Sequence, residues 1–238
     1  MPGRKKLDPH ERLIVAVDGV TLQDAEKLVK LLHKEVRTFQ VGLPLYTALG
    51  PDVVKMIRGY GSKVFLDLKY HDIPSTVAKS VYIASKLGVY MINVHAVGGH
   101  KMLGEAVAAS KDATGGKDSP MMLAVTVLTS MESLGDIGIQ FEVREQVVRL
   151  ATMAKQEGYS GVIASPLEIV PIRKNCGKAF IIVTPGIRPA GSMDYDQKRI
   201  SVPKQAIELG ADYLVMGRPI TEKKDPLAAV KVIIEEIS

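Results

Sequence analysis

Short runs of apolar, mostly β-branched residues recur along the whole chain, and this recurrence restricts the fold more than any other feature. Most runs are apolar at every position instead of alternating, which is typical of parallel strands covered on both faces. Eight such runs predict strands at 13–18, 38–43, 63–69, 90–96, 121–128, 161–165, 180–186 and 213–218.

Helical patterns lie between the predicted strands. Residues 21–33 place their apolar side chains on one face, and Thr21 with Asp24 resembles a capping box. Pro51 suits the first turn of a helix that ends near Gly59 or Gly61. Further helices are expected around 75–87, 101–110, 142–157, 203–209 and 225–237, with Gly88, Gly158 and Gly210 as C-terminal caps.

Eight β/α units without a low-complexity linker indicate one domain over 1–238, a single (β/α)₈ TIM barrel, with 1–12 as an N-terminal extension. A barrel of this kind typically has about 250 residues. A doubly wound sheet is the alternative. The barrel is favoured because unusual polar residues follow most of the strands, and a barrel mouth would gather them in one place.

Composition excludes several classes of protein. The excess of 31 Lys and Arg over 26 Asp and Glu gives a net charge of +5, which suits an anionic substrate and is too diffuse to indicate nucleic acid. Cys176 is the only cysteine, so no internal disulfide can form. No run approaches the ~18 apolar residues of a membrane span, and 1–12 does not resemble a signal peptide. We expect a cytoplasmic protein without a membrane partner.

The most informative segment is the charged end of the third strand, FLDLKYHDIP at 65–74. Side chains alternate along a strand, so Asp67 and Lys69 share the face that points into the barrel, where unpaired charge is costly. Asp72 lies on the following loop. Spacing alone leaves two interpretations: a structural ion pair, or a lysine held protonated by carboxylates and aimed at a reacting carbon.

The segment FLDLKYHDIPST resembles the signature of the orotidine 5′-phosphate decarboxylase family. The likeness extends over nearly the whole chain through IVAVD, NVHAVGG, AVTVLTS, VTPGIRP and VMGRPIT, at the first, fourth, fifth, seventh and eighth strands. Phosphosugar decarboxylases and aldolases of the same superfamily share Asp-x-Lys-x-x-Asp but lack the His-Asp-Ile-Pro continuation.

The resemblance implies cofactor-independent decarboxylation of orotidine 5′-phosphate to UMP in de novo pyrimidine biosynthesis. Lys69 would donate a proton to the ring carbon that loses carbon dioxide, and Asp67 would lie against the departing carboxylate. Asp72 would reach into the site of a neighbouring subunit, beside Ile73 and Thr76. The resemblance therefore implies a homodimer with two shared sites.

The same resemblance assigns nucleotide contacts at two other strand ends. Asp18 would bind ribose hydroxyls, although a residue there can also be a turn or cap residue. Thr129 and Ser130 would meet the nucleotide, with Ser130 at the pyrimidine edge. A Thr-Ser pair after a strand is also a common helix cap.

Four residues near the last two strands would hold the phosphate: Arg188, Gln197, Gly217 and Arg218. Physical reasoning supports this group independently, because barrel phosphate sites usually follow strands seven and eight, and arginine makes paired contacts with phosphate oxygens. The polar stretch 188–199 is long enough to be a lid over the site. A disordered surface loop is the alternative.

Other candidate groups are assigned no direct role. Because the family assigns proton donation to the lysine, His71 and His95 are interpreted as structural. The sequence shows no His, Cys, Asp and Glu cluster with metal-ligand spacing, and no dinucleotide-binding glycine fingerprint follows the first strand. We therefore expect neither a metal nor another cofactor.

One position departs from the family pattern. The family has a lysine before Val-Gly on the second strand, and this chain has Gln40. Glutamine donates hydrogen bonds but cannot neutralise a carboxylate. The explanations are a substitution introduced for study, drift to a weak or altered enzyme, and a compensating cation elsewhere; the intact remaining motifs favour the first. We expect Gln40 to preserve nucleotide binding and to slow decarboxylation.

Two other functions remain open. One is a phosphosugar lyase or aldolase of the same superfamily, which would normally need a metal. The other is an inactive nucleotide-binding homologue, for which Gln40 is the only support.

Overall fold

The computed structural model describes residues 7–17, 19, 21–189 and 201–238. Eight parallel strands close into a barrel in chain order, because β1 pairs with both β2 and β8. The strands are β1 (Leu13–Val17), β2 (Thr38–Gly42), β3 (Lys63–Tyr70), β4 (Met91–His95), β5 (Met121–Val125), β6 (Gly161–Ile163), β7 (Ile181–Thr184) and β8 (Tyr213–Met216). Closure confirms the predicted TIM barrel and excludes the doubly wound sheet.

Helices surround the barrel. They are α1 (Pro9–Arg12), α2 (Leu22–Leu32), α3 (Leu43–Leu49), α4 (Asp52–Gly59), α5 (Pro74–Lys86), α6 (Gly99–Thr114), α7 (Val143–Gln156), α8 (Ile169–Cys176), α9 (Pro203–Leu209), α10 (Arg218–Thr221) and α11 (Pro226–Glu236). The patterns did not predict α1, α3, α8 and α10, because helices this short show little periodicity. None of the helices in the described ranges has the length and apolar character that a membrane crossing requires.

The predicted helix ends are largely confirmed. The Thr21 hydroxyl accepts a hydrogen bond from the backbone N–H of Asp24 at 3.2 Å and donates to its carboxylate at 2.7 Å. Gly88, Gly158 and Gly210 have φ angles of 70°, 83° and 112° just after α5, α7 and α9. These positive angles favour glycine, as expected for C-terminal caps.

The apolar side chains of the strands pack into two separate hydrophobic cores. One cluster, drawn from the strands, fills the barrel interior and includes Phe65, Leu123 and Ile181. A larger cluster joins the outer strand faces to the helices and includes Phe39 and Leu66. Because both faces of each strand are buried, the strands are apolar at nearly every position.

Gly161 on β6 provides a test of barrel packing. A Cβ atom at this position would lie 2.2 Å from the Ile181 carbonyl oxygen of the neighbouring strand β7. We expect Gly161→Ala to lower the free energy of unfolding by roughly 1–3 kcal/mol, since overpacking forces the backbone to shift. Denaturation in urea, followed by circular dichroism, measures this change.

Gly59→Ala is the matched control, because no atom beyond its chain neighbours and its own helix backbone lies within 4 Å of the Cβ position, and Gly59 ends α4. Alanine is the better helix former, so this variant should be as stable as the parent or more stable. Equal midpoints for the two variants would show that Gly161 does not restrict the packing of β6 against β7.

Candidate active site

The carboxyl ends of the strands surround a cavity of about 280 Å³. This volume is near the lower end of the ~300–1,000 Å³ that is typical of small-molecule sites. Its floor is apolar and includes Phe65, Ile163 and Val215. The polar and charged side chains that line it are Gln40, Asp67, Lys69, Thr129, Arg188 and Arg218. Three cations and one carboxylate on an apolar floor suit an anionic ligand.

The predicted pairing of Asp67 with Lys69 is confirmed. The Lys69 Nζ atom lies 2.7 Å from Asp67 Oδ1. Asp67 is only 6% exposed, whereas the lysine side chain keeps 31% of its surface. The carboxylate is thus buried in the barrel wall, and the ammonium group remains accessible from the cavity.

Two neutral amides complete the surroundings of the Asp67 carboxylate. Gln40 Nε2 donates a hydrogen bond to Oδ2, and Asn93 Nδ2 donates to Oδ1. Within the described ranges, Lys69 is the cation that forms an ion pair with Asp67. Glutamine therefore replaces the hydrogen bond that a lysine at position 40 could donate, but it does not replace the charge.

The other end of the Gln40 amide is unsatisfied. Its Oε1 atom is buried and has no hydrogen-bond partner in the described part of the chain. An unsatisfied buried carbonyl costs about 1–3 kcal/mol. Because Gln40 lines the cavity, a ligand that donates a hydrogen bond here would remove that cost.

The backbone of β3 is irregular where it carries the charged pair. Its register with β4 changes between Leu66, which faces Ile92, and Tyr70, which faces Val94. Lys69 has a φ angle of 49°. A residue other than glycine in this left-handed region costs on the order of 1–3 kcal/mol, and such strain is concentrated at functional sites.

Asn93 is a site residue that the sequence analysis missed. It is fully buried at the centre of β4, and its Oδ1 atom accepts a hydrogen bond from the Lys69 backbone N–H at 2.8 Å. The signal was present in the sequence, because an amide side chain within an apolar strand must find partners when it is buried. The sequence could not show that those partners are Asp67 and Lys69.

The residues predicted to bind phosphate lie on the opposite side of the barrel mouth. Arg188 follows β7, and Gly217 and Arg218 follow β8; all three line the cavity. In a closed ring of eight strands, β7 lies across from β3. Arg218 also begins the short helix α10, which places a helix N-terminus at this end of the cavity.

The structure does not bring every predicted site residue into the cavity. Thr129 lines it, but Ser130 is exposed and is not among the lining residues. Asp72, Ile73 and Thr76 are also exposed outside the cavity. The Asp72 carboxylate accepts a hydrogen bond from the backbone N–H of Ile73 at 2.6 Å. This exposure leaves the three residues accessible to another molecule.

Part of the prediction falls outside the described residues. Asp18, Gln197 and residues 190–200 of the predicted lid belong to the ranges that the structure does not describe. The ends of this stretch are described and lie together, because the backbone N–H of Arg188 donates to the Ser201 carbonyl at 3.0 Å. The described residues on either side of 190–200 thus meet at a cavity-lining arginine.

The two histidines near the lysine form a ring contact. His71 and His95 have ring centroids 5.6 Å apart. Burial, followed by the nearby His71 and Lys69, lowers the pKa of His95 below its usual 6.5, and Asp67 only partly opposes this shift. These effects favour the neutral imidazole beside the ammonium group. Over the described residues, no cluster of three or more His, Cys, Asp and Glu side chains is placed to hold a metal ion.

The fold and the cavity together define a class of protein. An ammonium group paired with a buried carboxylate faces two arginines across the mouth of a (β/α)₈ barrel. This arrangement is that of a (β/α)₈-barrel enzyme whose cavity suits a small anionic ligand.

Comparisons with known proteins give a consistent result. The family model described as "Orotidine 5'-phosphate decarboxylase / HUMPS family" matches residues 11–233. An orotidine 5′-phosphate decarboxylase of Geotalea daltonii is 48% identical over 228 residues, which is 95% of this chain and 95% of that protein. The enzyme of that name from Syntrophotalea carbinolica is 47% identical over 236 residues, 98% of this chain and 97% of the relative.

Solved structures give the same result. A crystal structure of orotidine 5′-phosphate decarboxylase from Lactobacillus acidophilus matches with a TM-score of 0.85 and 38% identity, over 96% of this chain and 99% of that chain. The chain belongs to the orotidine 5′-phosphate decarboxylase / HUMPS family.

Proposed function

We propose that this enzyme decarboxylates orotidine 5′-phosphate to UMP, in pyrimidine biosynthesis and without a cofactor. The observation that carries the proposal is the Lys69–Asp67 pair at 2.7 Å, which faces Arg188 and Arg218 across one cavity. The curated relatives at about 47% identity have the name of this decarboxylase, which also supports the assignment.

The chemistry requires a cation that is in place before the bond breaks. When carbon dioxide leaves, the electron pair of the broken carbon–carbon bond stays on the ring carbon, in the plane of the ring and outside the π system. An ammonium group fixed beside that carbon stabilises the developing charge electrostatically. Lys69 then transfers a proton to the carbon, which completes UMP and leaves the lysine neutral.

The buried carboxylate has two tasks in this proposal. Asp67 holds the Lys69 ammonium group by an ion pair. In the complex with substrate, Asp67 would also lie against the carboxylate that is lost. The Asp67 carboxylate and the substrate carboxylate would repel each other in a poorly hydrated cavity, and this repulsion would disappear as neutral carbon dioxide departs. The apolar floor below the pair strengthens both interactions.

Phosphate binding supplies affinity from the other side of the cavity. Arg188, Arg218 and the backbone at Gly217 would hold the phosphate, together with Gln197. Binding energy from a part of the substrate that does not react can offset the cost of ordering the site. Asp18 would contact ribose hydroxyls, and Thr129 and Ser130 would contact the nucleotide at its base.

We also propose that two subunits share their sites. Asp72, Ile73 and Thr76 are exposed and lie outside the cavity of their own subunit, although Asp72 follows Lys69 by only three residues. A two-fold dimer would allow this loop of each subunit to complete the cavity of the other. The exposed apolar side chain of Ile73, 64% accessible, is suited to such an interface.

The first prediction of the proposed function concerns Lys69. We expect Lys69→Ala to lower kcat for orotidine 5′-phosphate by at least roughly 1,000-fold, because it removes both the cation and the proton donor. The measurement is the change in ultraviolet absorbance on decarboxylation, with and without a chelator. Lys55→Ala is the control, since Lys55 is exposed on α4 and pairs with Asp52. Undiminished release of carbon dioxide by Lys69→Ala, or loss of parental turnover with chelator, would contradict the proposal.

The second prediction concerns Gln40. We expect Gln40→Lys to raise kcat and to change KM little. A second cation beside Asp67 would restore neutrality in a shared site that contains Asp67, Lys69 and the Asp72 contributed by the other subunit. Gln40→Met is the comparison variant that has neither the charge nor the hydrogen bond to Asp67, and it should be slower than the parent. Steady-state kinetics on the three proteins decide the point. Equal kcat values for the parent and Gln40→Lys would show that the missing positive charge at position 40 does not slow decarboxylation.

The third prediction concerns shared sites. Lys69→Ala and Asp72→Ala should each be nearly inactive, and mixing the two should restore activity. In an equal mixture with free exchange, half of the dimers are hybrids with one intact site each, so about a quarter of parental activity should return. Subunit exchange is followed by mass spectrometry with one variant isotopically labelled. No recovery despite complete exchange would place Asp72 in the site of its own subunit.

A further inference from the structure

Asn93 has no role in the function proposed above, yet its side chain contacts both members of the charged pair. It is fully buried, and its neighbours along β4, Ile92 and Val94, are also fully buried. Both hydrogen bonds of its amide go to β3: Oδ1 accepts from the Lys69 backbone, and Nδ2 donates to the Asp67 carboxylate.

The position of Asn93 in the sheet explains why a side chain is needed here. On β4 only Asn93 lies between Ile92 and Val94, whereas β3 has three residues between the partners of these two, Leu66 and Tyr70. The longer β3 segment bulges, so its backbone cannot follow the regular ladder. The side-chain amide oxygen of Asn93, Oδ1, takes the place of a backbone ladder acceptor and accepts the hydrogen bond from the Lys69 N–H at 2.8 Å.

The bulge also explains the conformation of the lysine. Lys69 has a positive backbone φ of 49°. A residue other than glycine keeps such a strained angle when the surrounding structure holds it in place. The hydrogen bond from the Lys69 N–H to Asn93 Oδ1 fixes the backbone of the β3 bulge at the lysine. The second bond of the same amide fixes Asp67 Oδ1, the atom that also pairs with Lys69 Nζ at 2.7 Å. One rigid amide therefore sets the lysine backbone and the carboxylate relative to each other.

We propose that Asn93 is a positioning residue for decarboxylation, which holds the Lys69 backbone and the Asp67 carboxylate so that the ammonium group faces the reacting carbon. This inference rests on the proposed function. Asn93 is absent from the cavity lining and acts through the two residues that it holds. Its effect should therefore fall on the chemical step and spare phosphate binding on the opposite side.

The test compares Asn93→Ala with the parent in steady-state kinetics on orotidine 5′-phosphate. We expect kcat to fall roughly 100-fold, because a displacement of about 1 Å at the reacting groups has effects of this size. KM should stay within about threefold, since Arg188, Gly217 and Arg218 lie on the far side of the cavity. A kcat within about threefold of the parent, with the fold intact by circular dichroism, would overturn the proposal.

Asn93→Asp gives a readout that a merely structural role would not move. A neutral carboxyl group has the donor and acceptor of the amide, whereas the carboxylate has only acceptors and lies against Asp67. Burial and the nearby carboxylate raise the pKa of the new group. The kcat of Asn93→Asp relative to the parent should therefore rise as the pH falls, and the ratio for Asn93→Ala should stay flat. Parallel pH profiles for both variants contradict the inference.

Ser85→Ala is the matched control for the loss of a buried hydrogen bond. Ser85 lies on α5, is 3% exposed and hydrogen bonds with Ser110 at 3.1 Å, away from the cavity. The Ser85→Ala substitution should lower the melting temperature and leave kcat unchanged. A matching fall in kcat for Ser85→Ala would mean that general destabilisation accounts for the Asn93 result.

Hydrogen exchange at the Lys69 amide separates failure of this inference from failure of the proposed function. The exchange is measured by NMR on the parent and on Asn93→Ala. If the parent does not decarboxylate orotidine 5′-phosphate, the proposed function fails, and faster exchange in Asn93→Ala still supports the anchoring of Lys69. Unchanged exchange overturns the inference whatever the activity of the parent.

Discussion

The structure of the site depends on one buried carboxylate. Asp67 is 6% exposed, and a charge at such depth is tolerated only when hydrogen bonds and an opposite charge replace water. Lys69 supplies the charge, and the amides of Gln40 and Asn93 supply the remaining donors. These residues come from β2, β3 and β4, so three adjacent strands must be in register before the carboxylate is satisfied.

The closed barrel makes this requirement compatible with binding an anion. Arg188 follows β7, which lies across the ring from β3, and Arg218 follows the adjacent strand β8, so the ion pair and the two arginines line different sides of the cavity. The lysine keeps its carboxylate partner, and both arginines line the cavity. The proposed function needs this separation, because negative charge would develop on the ring carbon at one end of the substrate while the phosphate is bound at the other end.

The backbone and the hydrogen bonding are irregular around the site. A bulge on β3, a positive φ at Lys69 and an unsatisfied Gln40 oxygen all occur within the same small region. Regular strands elsewhere in the barrel support these deviations, since both faces of each strand are packed. The concentration of irregular features around one lysine is what is expected when an active site is held in a fixed geometry.

The sequence by itself determined the barrel and the charged pair. Apolar runs at eight strands required two buried faces, and the alternation of side chains placed Asp67 and Lys69 together. It also grouped Arg188, Gly217 and Arg218 after the last two strands. Tertiary structure decided what spacing cannot encode. The contact of Asn93 with the β3 bulge joins residues 24 and 26 positions apart, and it depends on strand register. Likewise, only the folded barrel shows that Gln40 donates to Asp67 and that Ser130, Asp72 and Thr76 lie outside the cavity, because loop paths depend on packing that no local pattern specifies.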